Sequence, residues 1–286
     1  MSELARRVIV SIVAIPIVFG AAYVGGGALG ALLGVISAVA TWELFRMSAE
    51  GGVRPLAVGI GIAAIIPLAV QAWFQGVFFV PLSAVAVAML VVVALSIWQR
   101  GVDGRPLAAV AITIFGALYT GGTLSFAYGL RYHRWTIGAA AGCVLLLLPV
   151  ILTWASDIGA YAVGRTMGRR KLIPSVSPGK TVEGSIGALV VTTLVAWIYV
   201  RMVLEPVAHL SLTTAGIVIC GVVLSAAAQL GDLAESLFKR EAGVKDSSHL
   251  IPGHGGVLDR MDSLFFVLPT AFLLLDRLRL LHAAAP

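Results

Sequence analysis

The chain has 286 residues, of which 59% are hydrophobic and only 12% charged, and its mean hydropathy is +0.99. Soluble domains carry roughly 25% charged residues, so this composition excludes an ordinary soluble enzyme. The net charge of +6 is explained by basic residues that the positive-inside rule places on the cytoplasmic side of a membrane protein, as described below. We therefore expect no nucleic-acid partner.

Apolar segments along the whole chain predict an all-α, polytopic integral membrane protein, because about 20 apolar residues cross a ~30 Å hydrocarbon core. We count nine such segments, the last of them short, at about 8–24, 29–47, 56–74, 78–98, 107–129, 137–157, 185–204, 212–232 and 263–276. Arg6 and Arg7 precede the first segment as in a signal peptide, but another apolar segment follows almost at once. The first segment is therefore expected to be a retained transmembrane helix.

The basic residues predict the orientation of these helices. With a cytoplasmic N-terminus, 15 of the 20 Lys and Arg residues fall on the cytoplasmic side. The positive-inside rule then favours nine helices with the N-terminus inside. The exceptions are Arg131, Arg134, Arg201, Arg277 and Arg279.

Small residues in the second segment indicate close helix packing. Gly26, Gly30 and Gly34 recur every four residues and so share one helix face, where small side chains let two backbones approach. We favour packing within the chain over a dimer interface. Cys143 and Cys220 lie inside apolar segments and are interpreted as packing residues, since no disulfide or zinc spacing is present.

Two polar segments, 157–184 and 232–262, interrupt the C-terminal half. We therefore divide the chain into N-terminal transmembrane helices at 1–136, expected to serve packing with dimer contacts as the alternative, and a catalytic transmembrane region at 137–286. With the predicted orientation, both polar segments lie in the cytoplasm. Glu43, Trp42, Asp157 and Tyr161 are further cavity candidates without an assigned role.

Acidic residues in the second polar segment predict a metal site. Asp232 ends an apolar segment, and an acid near the membrane interior is costly enough to be a functional candidate by default. On a continuing helix Asp232 and Lys239 share a face, and Asp259 and Asp262 are three residues apart. Mg²⁺ is typically held by one or two carboxylates plus substrate phosphates. A structural network in which these acids pair with neighbouring basic residues is the alternative.

Two short motifs suggest phosphate binding. Glycines around His254 would let backbone N–H groups approach a phosphate, while His254 itself could be a phosphate donor, a general acid or a turn residue. The run from Ser177 to Thr181 ends like a Walker A loop, but Pro174 stands where that motif needs glycine. Lys180 and Ser177 remain candidate phosphate ligands without a P-loop.

These residues form a pattern that resembles a known family. The run Ser236-x-Phe-Lys239-Arg240-x₄-Lys245-Asp246-x-Ser248-x₂-Ile251-Pro252-x-His254-Gly255-Gly256-Val257-x-Asp259-Arg260-Met261-Asp262 resembles the signature of phosphatidate cytidylyltransferases. Upstream, Ser177-Pro178-x-Lys180-Thr181-x-Glu183-Gly184 is also similar to this family. The family often has a second basic residue where this chain has Gly179, which puts one phosphate contact in doubt. The N-terminal half matches only in hydropathy.

The resemblance implies that CTP and phosphatidic acid react to give CDP-diacylglycerol and pyrophosphate at the cytoplasmic face of the plasma or inner membrane. It also implies a nine-helix homodimer that requires Mg²⁺, with a paired-metal centre in which K⁺ is a candidate second ion. We assign catalytic roles to Asp232, Asp259, Lys239, Arg240 and His254. Substrate binding is assigned to Ser177, Lys180, Thr181, Ser236, Lys245, Asp246, Gly255, Gly256 and Arg260. The expected metal ligands are Asp232 and Asp259, with Asp262 as an alternative or supporting ligand.

Three other functions are weighed against this interpretation. An ion-coupled transporter would place acids near the middle of several helices, whereas here they concentrate at predicted helix ends. Another membrane phosphotransferase, such as a CDP-alcohol enzyme, would carry a different aspartate-rich helix pattern that this sequence lacks. An inactive scaffold that retains the motif is excluded only by an assay.

Overall fold

The computed structural model of the protein describes residues 3–76, 81–251 and 255–284. Helices dominate these residues, as expected for a chain whose backbone must satisfy its own hydrogen bonds in lipid. In chain order they are α1 (Glu3–Val24), α2 (Gly26–Glu50), α3 (Val58–Phe74), α4 (Leu82–Gln99), α5 (Pro106–Ala117), α6 (Phe126–Arg131), α7 (Gly138–Met167), α8 (Val182–Tyr199), α9 (Glu205–Ala208), α10 (Thr214–Glu241) and α11 (Leu258–Phe272).

Several helices are long and apolar enough to cross a membrane. In the part of the chain that the structure describes there are six such spans, at Gly26–Glu50, Leu82–Gln99, Pro106–Arg131, Gly138–Met167, Val182–Ala208 and Thr214–Glu241. Two of them run through wider π-helical turns, at Leu118–Gly122 and Val200–Leu204. This architecture confirms the expected class, an all-α membrane protein.

Helix boundaries differ from the hydropathy prediction where charge begins. The helix predicted at 137–157 continues as α7 to Met167, so the first polar loop does not begin at Asp157 as expected. Likewise α10 extends past the predicted end at 232 to Glu241. Hydropathy measures membrane burial, whereas helical hydrogen bonding continues into water when no breaker intervenes. Gly243, with a φ of +72°, follows the end of α10 and suits the left-handed turn found there.

Two short antiparallel strand pairs accompany the helices and were not predicted; only the first is a hairpin. Strands β1 (Lys171–Ile173) and β2 (Ser177–Thr181) pair between α7 and α8, with Lys171 opposite Thr181. Strands β3 (Leu210–Leu212) and β4 (Leu281–Ala283) pair with Leu210 opposite Ala283. Strands of three to five residues carry too little periodic pattern to be found by hydropathy.

The described residues of Met1–Ser125 and Phe238–Met261 form one compact unit. Its helices approach closely at glycines: a Cβ on Gly34 would lie 2.8 Å from the Ala64 carbonyl oxygen, and one on Gly121 would lie 2.5 Å from that of Ala63. The Thr41 and Thr120 hydroxyls hydrogen-bond at 2.6 Å inside this core. At Gly34, therefore, the predicted small-residue face packs within the chain.

The described residues of Phe126–Leu237 and Asp262–Pro286 form the second unit. In it α7 packs antiparallel to α8, because Gly159 approaches Val191 while Gly187 approaches Val163. The Tyr199 hydroxyl donates to the Val144 carbonyl at 2.7 Å across this pair. Cys143 and Cys220 are buried and free of disulfides, as expected for packing residues.

Candidate active site

The β1–β2 hairpin presents the first predicted motif at the start of α8. The Glu183 carboxylate, in the first turn of α8, accepts hydrogen bonds from the backbone N–H groups of Arg169 at 2.9 Å and Arg170 at 3.1 Å. The buried Thr181 hydroxyl accepts the Gly184 N–H at 3.1 Å and so caps the helix. Thr181, predicted to bind substrate, therefore has its oxygen engaged in positioning the hairpin.

The same hairpin places Lys180 against α10. The Lys180 Nζ lies 2.7 Å from Asp232 Oδ2, and the Ser236 hydroxyl donates to Asp232 Oδ1 at 3.3 Å. The side chains of Lys180 and Asp232 are 24% and 36% exposed, but the Lys180 Nζ is itself buried, so Asp232 is the more accessible member of the pair. Lys180 and Asp232 were predicted from different polar segments and lie 52 positions apart in sequence. The structure brings them together. Ser177 is half-buried in β2.

The second predicted acid, Asp259, is held from several sides in the other unit. Its Oδ1 accepts a hydrogen bond from Lys239 Nζ at 2.8 Å. Its Oδ2 accepts the Ser247 N–H at 3.0 Å, the Ser247 hydroxyl at 2.8 Å and the Gly256 N–H at 2.8 Å. The side chains of Lys239 and Asp259 are only 14% and 7% exposed. Asp259 therefore organises the segment before α11 as well as pairing with a lysine.

The glycine pair has its own geometric constraints. Gly255 has a φ of +80°, a conformation that favours glycine, and its carbonyl accepts the Ile251 N–H at 2.9 Å. A Cβ on Gly256 would lie 2.0 Å from the Ser247 hydroxyl oxygen and 2.6 Å from the Glu43 carboxylate. The Gly256 N–H, expected to face a phosphate, donates to Asp259 instead. His254 lies outside the described residues.

Other predicted residues lie at the surface of this region. Arg240, Lys245, Asp246 and Arg260 are all exposed, as expected of side chains that would meet a polyanion in solution. Asp262 is half-buried in the first turns of α11, and its Oδ1 accepts the Ser263 N–H at 2.6 Å.

Sequence reasoning gave no role to the most buried acid of the site. Glu43 on α2 is 0% exposed and accepts hydrogen bonds from both Ser247 and Ser248 and from the backbone N–H groups of Val257 and Leu258. An acid inside an apolar segment was itself the available signal, because such a group is costly unless fully hydrogen-bonded. Its partners, about 200 residues away, could not be read from the pattern.

Comparison with known proteins defines the class to which this site belongs. The model of the cytidylyltransferase family matches residues 5–278, and the chain therefore belongs to that family. It is 50% identical over 141 residues to a phosphatidate cytidylyltransferase of Haemophilus influenzae, which covers 49% of this chain and 48% of the relative. The phosphatidate cytidylyltransferase of Bacillus subtilis is 42% identical over 134 residues, 47% of this chain and 48% of the relative.

A third relative carries no functional name. The uncharacterized protein YnbB of Escherichia coli is 38% identical over 156 residues, 53% of this chain and 50% of the relative. The chain spans about half the length of the curated relatives it matches.

Proposed function

We propose that this protein is a phosphatidate cytidylyltransferase, which transfers CMP from CTP to phosphatidic acid and releases pyrophosphate. The observation that carries the proposal is the family match over residues 5–278, together with relatives that are named phosphatidate cytidylyltransferase. The lysine–aspartate pairs in both units support it, since the reaction needs cations and carboxylates beside phosphates.

The chemistry asks for charge neutralisation more than for proton transfer. A phosphate oxygen of phosphatidic acid attacks the α-phosphorus of CTP, and the bond to the bridging oxygen of pyrophosphate breaks. The nucleophile is already anionic, so no general base is required. By the family resemblance, Lys180 in one unit and Lys239, Lys245 and Arg260 in the other would neutralise phosphate charge. Product CDP-diacylglycerol stays anchored by its acyl chains.

A magnesium ion fits Asp232 more readily than Asp259. Asp232 is partly exposed, and a single carboxylate is enough when substrate phosphates complete the coordination. Asp259 accepts hydrogen bonds at both oxygens, so a metal there would have to replace or share the contact with Lys239. Among the described residues, no three His, Cys, Asp or Glu side chains are grouped closely enough to form a ligand cluster. Bound Mg²⁺ would neutralise charge on the transferred and leaving phosphates.

The remaining assignments follow the family resemblance. We propose nine membrane crossings with a cytoplasmic N-terminus, and an active site that faces the cytoplasm of the plasma or inner membrane. The distribution of basic residues supports this orientation. Homodimerisation, a second metal such as K⁺, and roles for Asp262 and His254 are proposed on the same ground.

The test is conversion of labelled CTP by the purified, full-length protein in phosphatidic acid-containing micelles. We expect Mg²⁺-dependent formation of labelled CDP-diacylglycerol and pyrophosphate, abolished by EDTA. Lys180→Met and Asp259→Asn should lose most of this activity, whereas Glu50→Gln, an exposed acid on α2, should keep it. Absence of product with phosphatidic acid, or a product formed only with another lipid phosphate, would refute the assignment.

A further inference from the structure

Glu43 carries a complete set of hydrogen bonds in a place where a charge is expensive. Its Oε2 accepts the Leu258 N–H at 2.6 Å and lies 3.3 Å from the Ser247 hydroxyl, whose single hydrogen it shares with Asp259. Its Oε1 accepts the Val257 N–H at 3.1 Å and the Ser248 hydroxyl. A buried carboxylate is tolerated when several donors compensate its lost hydration, and each donor here comes from the 247–258 segment.

Two of those donors identify what Glu43 does for the fold. Val257 and Leu258 stand at the start of α11, where backbone N–H groups have no partner within their own helix. A negative charge at a helix N-terminus also interacts favourably with the helix dipole. Glu43 therefore caps α11 from α2, a helix more than 200 residues away in sequence.

Ser247 extends this arrangement to the proposed catalytic acid. Its hydroxyl lies 3.3 Å from Glu43 Oε2 and 2.8 Å from Asp259 Oδ2, and its N–H donates to Asp259. Gly256 fills the space between the two carboxylates, where a Cβ would collide with both Ser247 and Glu43. A shift of Glu43 would accordingly displace the glycine segment and Asp259 together.

We propose that Glu43 is a positioning residue for the reaction: it holds Ser247, Ser248 and the start of α11 in place and, through Ser247, the orientation of Asp259. It touches no substrate itself. The kinetic part of this inference rests on the proposed cytidylyltransferase activity, whereas the structural part does not. The N-terminal helices would then contribute to the active site rather than serve as packing alone.

Glu43→Gln tests the inference with a nearly isosteric change. An amide offers only one acceptor oxygen. Its NH₂ group would face the backbone N–H of Val257 or of Leu258, and two donors cannot hydrogen-bond to each other. We expect kcat/KM at equal amounts of folded protein to fall about 10- to 100-fold, the range expected when reacting groups are misplaced. Glu43→Asp keeps the charge and should recover part of that loss. Glu50→Gln, on the exposed side of the same helix, is the matched control.

Hydrogen exchange of the 245–258 peptide, measured on the same full-length variants, provides a readout independent of activity. Faster exchange there in Glu43→Gln, with partial recovery in Glu43→Asp, supports the inference. Unchanged exchange, or an activity loss that only follows the fraction of unfolded protein, overturns it. Should Glu43→Gln fail to fold, Ser247→Ala removes the hydroxyl between Glu43 and Asp259, leaves the Ser247 N–H on Asp259, and should show the same two changes more weakly.

The two proposals fail in different ways. If the wild-type protein makes no CDP-diacylglycerol, the proposed function fails, and the exchange measurement still decides whether Glu43 holds the segment. If the wild-type protein is active while Glu43→Gln matches it in both kcat/KM and exchange, the function stands and the role of Glu43 is refuted.

Discussion

Substitutions in the ion pair between Lys239 and Asp259 can distinguish a catalytic role of this pair from a purely structural one. The two atoms lie 2.8 Å apart, and the side chains are only 14% and 7% exposed. Lys239→Met leaves the carboxylate its donors from Ser247 and Gly256, so we expect a loss of about 2 kcal/mol in the free energy of unfolding. Asp259→Asn leaves a buried ammonium facing an amide and should cost about 3 kcal/mol.

The double variant distinguishes the two interpretations. With Met at 239 and Asn at 259, the donor–donor conflict disappears, and the loss should be smaller than the two single losses combined by about 2 kcal/mol. Stability is measured by SDS titration in mixed micelles, and kcat by labelled CTP turnover. The exposed pair of Arg46 and Glu50, at 3.4 Å, is the control and should show coupling below about 0.5 kcal/mol.

The outcome is decided by comparing stability with activity. If both residues serve the reaction, the double variant is about as stable as Asp259→Asn alone and stays inactive. Activity that survives in the double variant, at equal amounts of folded protein, would mean that the pair is a structural network. Stability losses that simply add would refute the pairing itself, and with it the reasoning from burial.

Two further predictions concern stability in the second unit. The His133 Nδ1 accepts the Trp135 N–H and its Nε2 lies 3.3 Å from Asp276; burial lowers the pKa of His133 below its ordinary 6.5. The unfolded chain therefore binds a proton more readily than the folded protein, so the free energy of unfolding should fall as the pH drops below 6.5. His133→Gln should flatten that slope. A Cβ on Gly187 would lie 2.4 Å from Val163, so Gly187→Ala should cost about 1–3 kcal/mol by SDS titration. Gly61→Ala, with open space around its Cβ, should lose nothing, and equal effects of the two substitutions would contradict the packing argument.

The helical class of the fold could be predicted because lipid allows few other solutions for an apolar backbone. Hydropathy located the core of α7 and α10 but ended both at their first acid, Asp157 and Asp232, since a charge ends an apolar window without ending a helix. The β1–β2 hairpin was missed because its residues are polar and its strands short. That hairpin is nevertheless what brings Lys180 to Asp232.

The site was predictable to the extent that its residues are charged and close in sequence. Lys239 and Asp259 were both chosen because they lie within one polar segment, and the structure pairs them. Thr181 was chosen by the same reasoning, yet its hydroxyl caps α8, because a Thr before a helix is equally suited to either role. Sequence pattern identifies which groups are chemically able to act, whereas only the fold decides which of them are already occupied.

The motif residues are concentrated in the C-terminal half, but a residue outside that half also contributes to the proposed site. The 247–258 segment contains several residues of that motif, yet its buried hydrogen-bond acceptor is Glu43, in a helix that carries none of the motif residues. A segment rich in glycine and serine has little apolar surface with which to fix its own conformation, so a specific conformation needs hydrogen bonds from elsewhere. Glu43 supplies four acceptor contacts at the cost of burying one charge, and α2 supplies the rigid support. On the role proposed for Glu43, α2 and the described residues of 247–258 act together, although their sequences alone suggest a scaffold and a site.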